Sequence, residues 1–214
     1  MANIIYFDIE TVSGCPSYTD LSDQMKKLWD KKCLSWLTDD VTVESLYIDK
    51  AGIFAEFGKI VCISCGYYTP EREFISQSFA GQDEHQLLSE FFAFLEQYPS
   101  ALLCGHNIKE FDIPYTCRRG MIQGLTLPAM LNMRDKKPRE IPHKDTMEMR
   151  KFGDYKAYTS LALLCEIFGI HTPKDDIDGS QVGRVFWEQG DIDRIVTYCE
   201  KDVWATAQLY QKIR

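Results

Sequence analysis

Long apolar runs separated by turn residues predict several β-strands in the first half of the chain. Residues 4–11 read IIYFDIET, a nearly continuous apolar run of the kind found in buried central strands. Residues 58–68 and 72–79 predict two more strands, which are joined by a short turn. A fourth strand is predicted over residues 101–106. Together these runs indicate a β-sheet whose first strand lies in its interior.

Helical spacing of apolar residues describes most of the remaining chain. Asp83 is a typical N-cap residue, and apolar side chains recur at helical spacing after it. They predict a helix that runs from Asp83 to about residue 98. Further helices are predicted over residues 21–37, 111–120, 161–168, 181–189 and 192–213. Residues 125–152 are rich in proline and are predicted to be irregular. Strands interleaved with helices predict an α/β fold with a mixed central β-sheet flanked by helices.

Length and composition narrow the class of protein. Residues 1–214 suit a single domain, with a helical insert at about residues 14–50. Hydrophobic residues make up 45% of the chain and aromatic residues 13%, which indicates a globular protein and not a disordered one. The sequence has no P-loop, no dinucleotide-binding glycine motif and no nucleophile elbow. P-loop nucleotidases, dinucleotide oxidoreductases and serine hydrolases are therefore disfavoured.

Cysteine usage and the lack of targeting patterns predict a cytoplasmic protein. The eight cysteines are scattered singly, mostly in apolar stretches, as is typical of buried, reduced thiols. No apolar run is long enough to cross a membrane, and the N-terminus lacks the pattern of a signal peptide. The net charge of −8 argues against a protein that coats nucleic acid by charge alone. Bound cations would nevertheless reverse the sign of the charge locally.

Asp8 and Glu10 end the first apolar run and form the most informative pair in the chain. Because strand side chains alternate between faces, two residues that are two positions apart point the same way. Two like charges on a buried strand are costly unless a cation neutralises them, and divalent metals of the Mg²⁺ type prefer carboxylate oxygens. The pair therefore indicates a metal site, with two solvent-exposed acids at a strand end as the alternative.

Acidic residues of two distant segments extend this pattern. Asp112 follows the fourth predicted strand, and Asp202 lies in the predicted C-terminal helix. Tyr198 precedes Asp202 by four residues, so both side chains project from the same face of that helix. Four carboxylates and one phenol are a ligand set suited to a two-metal phosphodiesterase.

Taken in order, these residues resemble the motifs of the DEDD superfamily of 3′–5′ exonucleases, which are DnaQ-like and have the ribonuclease H-like fold. In particular, the chain resembles a stand-alone version of the proofreading exonuclease domain of family-B DNA polymerases. The three motifs of that domain are matched by Asp8, Glu10, Asn107, Phe111, Asp112, Tyr198 and Asp202. The histidine subclass places its histidine five residues before the last aspartate, where this chain has Thr197. The tyrosine subclass, DEDDy, is therefore favoured.

The resemblance implies a reaction and its cofactors. It implies hydrolysis of phosphodiester bonds from the 3′ end of single-stranded DNA, with release of 5′-mononucleotides and with two divalent ions, Mg²⁺ or Mn²⁺. By the same resemblance, Asp8 bridges both ions and Asp112 holds the second. Glu10 and Asp202 complete the site on the side of the nucleophile. Tyr198 would orient the attacking water, because a phenol with an ordinary pKa near 10 is a poor general base.

Further residues are candidates for contact with the substrate, and they are Thr11, Asn107, Phe111, Lys156 and Tyr158. Asn107 could bind the terminal sugar or serve only as a turn residue. Phe111 could stack on a terminal base or anchor its helix in the core. Lys156 and Tyr158 lie in a stretch that resembles a segment of family-B exonuclease domains, which would bring one of them near a substrate phosphate.

Two other functions stay open from sequence alone. One is a 3′–5′ exoribonuclease that acts on short RNA, since discrimination depends on contacts to the 2′-hydroxyl. The other is a catalytically silent nucleic-acid-binding module with the same fold. In the leading interpretation the partner is the 3′ end of a single strand, with no membrane involved. A separate replication or repair protein could assist, because family-B exonuclease domains take their strand separation from the polymerase.

Overall fold

The computed structural model describes residues 4–137, 140–154, 156–171 and 177–214. One five-stranded sheet forms its centre, in the order β3-β2-β1-β4-β5. The strands are β1 (Ile4–Ser13), β2 (Gly58–Tyr68), β3 (Phe74–Ala80), β4 (Leu102–Gly105) and β5 (Lys144–Asp145). β1 pairs antiparallel with β2 and parallel with β4. The predicted mixed α/β sheet is therefore confirmed, with the first strand at its middle.

Helices cover both faces of this sheet. They are α1 (Asp23–Cys33), α2 (Val43–Lys50), α3 (Glu84–Glu96), α4 (Asp112–Ile122), α5 (Thr146–Lys151), α6 (Leu161–Phe168), α7 (Val182–Arg184) and α8 (Ile192–Ile213). A π-helical turn, Val185–Gln189, continues α7. Among the described residues, no helix has both the length and the apolar character that a membrane span requires.

Alternation along β1 divides the core into two halves. Ile5, Phe7 and Ile9 point to one face, where they pack with the apolar residues of α3 and α4. Tyr6 and Val12 point to the opposite face, where they pack against residues of α8. Asp8 and Glu10 lie between Tyr6 and Val12 in this alternation, so both carboxylates face α8.

Two of the sequence-based predictions need correction. Residues 21–37 do not form one helix, since α1 ends at Cys33 and a single 3₁₀ turn, Leu34–Trp36, follows it. The segment after that turn contains a further helix, α2, which was not predicted. Both helices pack around Trp29 and Tyr47 in an aromatic cluster. This cluster supplies the burial that stabilises two short helices.

Residues 125–152 were predicted to be irregular, and this prediction is also wrong. They contain the edge strand β5 and the helix α5. β5 is only two residues long, so it leaves no alternating pattern from which a strand could be recognised. The side chain of Asp145 caps α5 by accepting hydrogen bonds from the N–H groups of Met147 and Glu148.

Candidate active site

Asp8 and Glu10 occupy the middle of β1, opposite Ser64 and Cys62 of β2. The side chain of Asp8 is half-buried, and Glu10 is only 8% exposed. The pairing with β2 shifts register between Glu10 and Thr11, which marks a β-bulge. Such bulges often stand beside active sites, where they redirect the side chains that follow.

Asp112 reaches the same place because β4 is short. Pairing between β1 and β4 stops at Tyr6 and Cys104, and β4 ends at Gly105. A Cβ atom at Gly105 would lie 2.9 Å from the carbonyl oxygen of Phe7, so the turn requires glycine there. Asp112 then begins α4, is 3% exposed, and accepts a hydrogen bond from the backbone N–H of Ile9.

The loop that carries Asp112 is held by Asp145. One carboxylate oxygen of Asp145 accepts a hydrogen bond from the N–H of Asn107 at 3.1 Å, and the other accepts from the N–H of Lys109 at 3.1 Å. Asn107 has a left-handed backbone with φ of 67°, which asparagine tolerates better than most residues. Its carbonyl accepts the N–H of Phe111 at 3.0 Å. The backbone of Asn107 therefore forms the turn of this loop.

Helix α8 brings the third group of side chains. Tyr198 and Asp202 are four residues apart on one face of α8, and a hydrogen bond joins them. Between them, the buried thiol of Cys199 donates to the Asp8 carboxylate with a sulfur-to-oxygen distance of 3.6 Å. One carboxylate oxygen each of Asp8 and Glu10 and the sulfur of Cys199 lie within 4.8 Å of one another.

Burial and mutual repulsion dominate the electrostatics of these acids. Burial raises the pKa of Asp8 well above its ordinary value, and the charges of Asp112, Glu10 and Asp202 raise it further. Burial likewise raises the pKa of Glu10, with Asp202 as the largest charge contribution. The pKa of Asp112 rises from 3.8 to about 7, chiefly through burial. The pKa of Tyr198 is raised by burial and by the neighbouring carboxylates, so its hydroxyl keeps its proton at neutral pH.

The donor set matches a site for hard divalent cations. It consists of carboxylate oxygens that repel one another, with a thiol at its margin. Within the described part of the chain, no ion pair involves Asp8, Glu10 or Asp112. Like charges in a buried position are stable together only when protons or cations neutralise them. Asp8, Glu10, Asp112 and Asp202 are therefore the residues that could hold metal.

The candidates for substrate contact lie at different distances from this cluster. Thr11 follows Glu10 directly at the bulge, and its side chain hydrogen-bonds the hydroxyl of Tyr115. Phe111 precedes Asp112, is half-buried, and packs on the ring of Tyr115 at 5.3 Å between centroids. Phe111 thus anchors α4 in the core and still has part of its ring exposed.

Tyr158 and Lys156 lie farther out. Tyr158 donates a hydrogen bond of 3.4 Å to Glu110, two residues before Asp112, so it contacts the loop of the cluster. Lys156 is exposed, and its backbone N–H is bonded to Asp154 at 3.1 Å. Among the described contacts, none joins the Lys156 side chain to the carboxylates.

Two residues of the site were missed from sequence. Asp145 lies on the short strand β5, and its signal was the Asp-Thr-Met-Glu stretch, in which an acid can cap a helix. Cys199 lies between the two motif residues of α8 and reads as an ordinary buried thiol. Its contact with Asp8 depends on the packing of α8 against β1, which spacing along the sequence does not reveal.

The mixed sheet, with acids of β1, α4 and α8 gathered beside the middle of β1, is the arrangement found in nucleases of the ribonuclease H-like class. A family model described as a predicted 3′–5′ exonuclease related to the exonuclease domain of PolB matches residues 53–214. The chain belongs to this family. Asp8 and Glu10 precede the matched segment, whereas Asp112, Tyr198 and Asp202 lie inside it. No match is found among curated protein sequences.

A solved structure supports the fold across almost the whole chain. The family B DNA polymerase from the hyperthermophilic archaeon Pyrobaculum calidifontis is similar with a TM-score of 0.65 and 15% identity. The similarity covers 99% of this chain and 24% of the polymerase chain, so the present chain corresponds to about a quarter of that protein. The predicted ribonuclease H-like fold is confirmed. Family membership implies a nucleic-acid substrate and dependence on a divalent metal.

Proposed function

We propose that this protein is a DEDDy-type exonuclease that removes 5′-mononucleotides one at a time from the 3′ end of single-stranded DNA. The observation that carries the proposal is the convergence of Asp8, Glu10, Asp112 and Asp202 with the phenol of Tyr198. These residues come from β1, α4 and α8, and their mutual repulsion calls for bound cations. We further propose that residues 1–214 act as one exonuclease domain with a helical insert.

Two divalent ions, Mg²⁺ or Mn²⁺, would be held by these carboxylates. Asp8 would be the ligand common to both, because the charges of Asp112, Glu10 and Asp202 all raise its pKa and it therefore lies close to each of the other three acids. When bound, the ions supply charge stabilisation for the phosphodiester and activate water at neutral pH. The protein contributes a fixed arrangement of ligands that requires no reorganisation during the reaction.

Tyr198 would hold the attacking water without removing its proton. Its raised pKa keeps the hydroxyl protonated, and its proton is directed to Asp202. The phenolic oxygen retains acceptor capacity, so a water molecule can donate to it and be oriented towards the phosphorus. Thr11, Asn107 and Phe111 border the cluster and would contact the terminal nucleotide, while Tyr158 and Lys156 would contact the strand farther from its end.

A gel time course on a 5′-labelled single-stranded DNA oligomer tests the proposal. We expect a ladder that shortens from the 3′ end with Mg²⁺ or Mn²⁺ and no cleavage with EDTA. The Asp8→Ala and Asp202→Ala variants should be inactive. Asp193→Ala removes an exposed acid from the same helix and should remain active. A wild-type ladder that persists unchanged in Asp8→Ala would overturn the metal assignment.

The same assay separates the alternatives. A labelled RNA oligomer that is shortened much faster than the DNA oligomer would identify an exoribonuclease with the same mechanism. Binding of either oligomer without cleavage under any metal would identify a nucleic-acid-binding module instead. Folding of each variant is checked by its circular dichroism, so that loss of structure is not read as loss of chemistry.

A further inference from the structure

Two exposed aromatic residues neighbour Lys151, which approaches Glu110 in the loop that carries Asp112: Phe152 along the chain and Tyr158 in space. Phe152 follows α5 and is 95% exposed, and Tyr158 is 60% exposed. We call these two residues the aromatic ledge. Soluble proteins often expose a single apolar residue, but a phenylalanine with almost its entire surface in water is unusual.

The backbone at Phe152 makes this exposure more informative. Phe152 has a φ of 45°, in the left-handed region that bulky residues rarely adopt. Helices often end with such a residue, and glycine is the usual choice because it has no Cβ to clash. Here Gly153 comes one position later, with a φ of 89°. The chain therefore accepts both backbone strain and an exposed ring at Phe152, and no packing contact of the ring offsets either cost.

Tyr158 is held in place by contacts with Lys151 and Glu110. The Nζ atom of Lys151 lies over the Tyr158 ring, 3.9 Å from its centroid, and the side chain of Lys151 is 11% exposed. The Tyr158 hydroxyl bonds Glu110, whose carboxylate also lies 3.9 Å from Lys151 Nζ. One face of the ring is thus backed by a cation, and the ring as a whole remains largely open to solvent.

We propose that the aromatic ledge stacks bases of the single strand upstream of the nucleotide that is cleaved. This inference rests on the proposed exonuclease function, and it adds Phe152 as a substrate-binding residue. Every nucleobase has a π-face, so rings that are exposed and held in place bind single strands without reading their sequence. Glu110 is only two residues from Asp112, so Tyr158 contacts the loop that carries this acid. Phe152 follows Lys151 directly along the chain, and Lys151 is the residue whose Nζ atom lies over the Tyr158 ring.

Strand binding by variants of Phe152 tests the inference directly. Phe152→Gly removes the ring and suits the left-handed backbone, Phe152→Trp keeps a ring, and Ile48→Ala removes a side chain that is 65% exposed elsewhere. The dissociation constant of a fluorescent eight-nucleotide DNA would be measured by anisotropy with Ca²⁺ in place of Mg²⁺. We expect about tenfold weaker binding for Phe152→Gly, near wild-type binding for Phe152→Trp, and no change for Ile48→Ala.

Thermal unfolding distinguishes a binding role from a packing role. Phe152→Gly should unfold at the same temperature as the wild type or higher, because glycine relieves the strained backbone. Unchanged affinity in Phe152→Gly would overturn the inference. Weaker binding together with a lowered unfolding temperature, and without recovery in Phe152→Trp, would also overturn it.

The result that would contradict the inference about the aromatic ledge differs from the result that would contradict the exonuclease proposal. The p-nitrophenyl ester of thymidine 5′-monophosphate has one nucleotide and no upstream strand, so it reports on the catalytic cluster alone. If the wild type hydrolyses neither this ester nor the oligomer, the exonuclease proposal fails, while the anisotropy measurement still tests the ledge. If the wild type hydrolyses both, the ratio of the rate on the oligomer to the rate on the ester should be about tenfold lower in Phe152→Gly than in the wild type.

Discussion

Two clusters of buried charge lie on either side of the sheet, and they are built in opposite ways. In one, Glu84 is 5% exposed and receives hydrogen bonds from Arg119 and Gln123 and from the N–H of Ile60. In the other, Asp8 and its neighbours face one another, and their pKa values are raised by burial and by like charge.

The difference shows which cluster is structural. Arg119 also donates to the carbonyl oxygen of Ala55 at 2.8 Å, so this pair joins α3, α4 and the segment before β2 and is neutralised within the protein. The carboxylate cluster has no such internal cation at Asp8, Glu10 or Asp112 among the described ion pairs. A buried pair with its partners satisfied is complete, whereas repelling carboxylates are completed by ions from solution.

The largest expected effect is on activity at the carboxylate cluster. Asp112→Asn keeps the size of the side chain but removes a charged ligand. We expect kcat on the oligomer to fall about 10³-fold or more, because charge stabilisation by a bound metal is worth several kcal/mol. The metal-free variant should be as stable as the wild type or more so, because a repelling charge is gone. A variant that lost stability and kept its kcat would reverse the assignment of the two clusters.

The next effect is on stability at the Glu84 pair. Arg119→Met removes the cation and leaves a buried carboxylate, which should lower the free energy of unfolding by about 3–5 kcal/mol. For a chain of this size that corresponds to roughly 10 °C in the melting temperature. The Glu84→Gln, Arg119→Met double variant should recover part of this loss. Mg²⁺ should stabilise the wild type and Arg119→Met equally, since the pair does not hold metal.

A smaller effect is the pH dependence of the metal-free protein. The pKa of Asp112 is about 7 in the folded protein and 3.8 ordinarily, so the folded state binds more protons between these values. The free energy of unfolding in EDTA should therefore fall by about 3 kcal/mol as the pH rises from about 4 to 7. Saturating Mn²⁺ should reduce this slope, as should Asp112→Asn. An unfolding free energy that rises over this range would contradict the raised pKa.

The smallest effect is expected at Asp145, which holds the loop of Asp112 through hydrogen bonds to two backbone N–H groups. Asp145→Asn cannot accept with both oxygens, so the N–H of Asn107 or Lys109 loses its partner. We expect a loss of stability of about 1 kcal/mol. A decrease of about tenfold in kcat with little change in KM should accompany it, because Asp112 is displaced. If only stability changed, the loop would be structural and not a positioning element.

The regular side-chain patterns of β1 and α8 made much of the carboxylate cluster predictable from sequence. Asp8 and Glu10 share a face because β1 is regular up to the bulge, and Tyr198 and Asp202 share a face because α8 is long and regular. Period-two and period-3.6 patterns report such local relations directly. The order of the motifs along the chain then indicated a 3′–5′ exonuclease of the family-B type, and the match to the family model confirms this family.

The remaining features depend on contacts between distant segments. The two-residue strand β5 is defined by its pairing with β4, and the role of Asp145 follows from that pairing. The helix α2 depends on burial of Tyr47 against Trp29, at 5.4 Å between ring centroids, and not on a pronounced apolar stripe of its own. Arg119 and Glu84 are 35 residues apart, and nothing in their spacing indicates an ion pair.

Counting bound Mn²⁺ tests the central claim most directly. The electron paramagnetic resonance signal of free Mn²⁺ would be titrated against metal-free wild type and Asp8→Ala, each with thymidine 5′-monophosphate as a product ligand. We predict saturable binding that approaches two ions per wild-type chain and is lost in Asp8→Ala, with Arg119→Met binding as the wild type does. Equal Mn²⁺ binding by wild type and Asp8→Ala would contradict the claim that the carboxylate cluster is a metal centre.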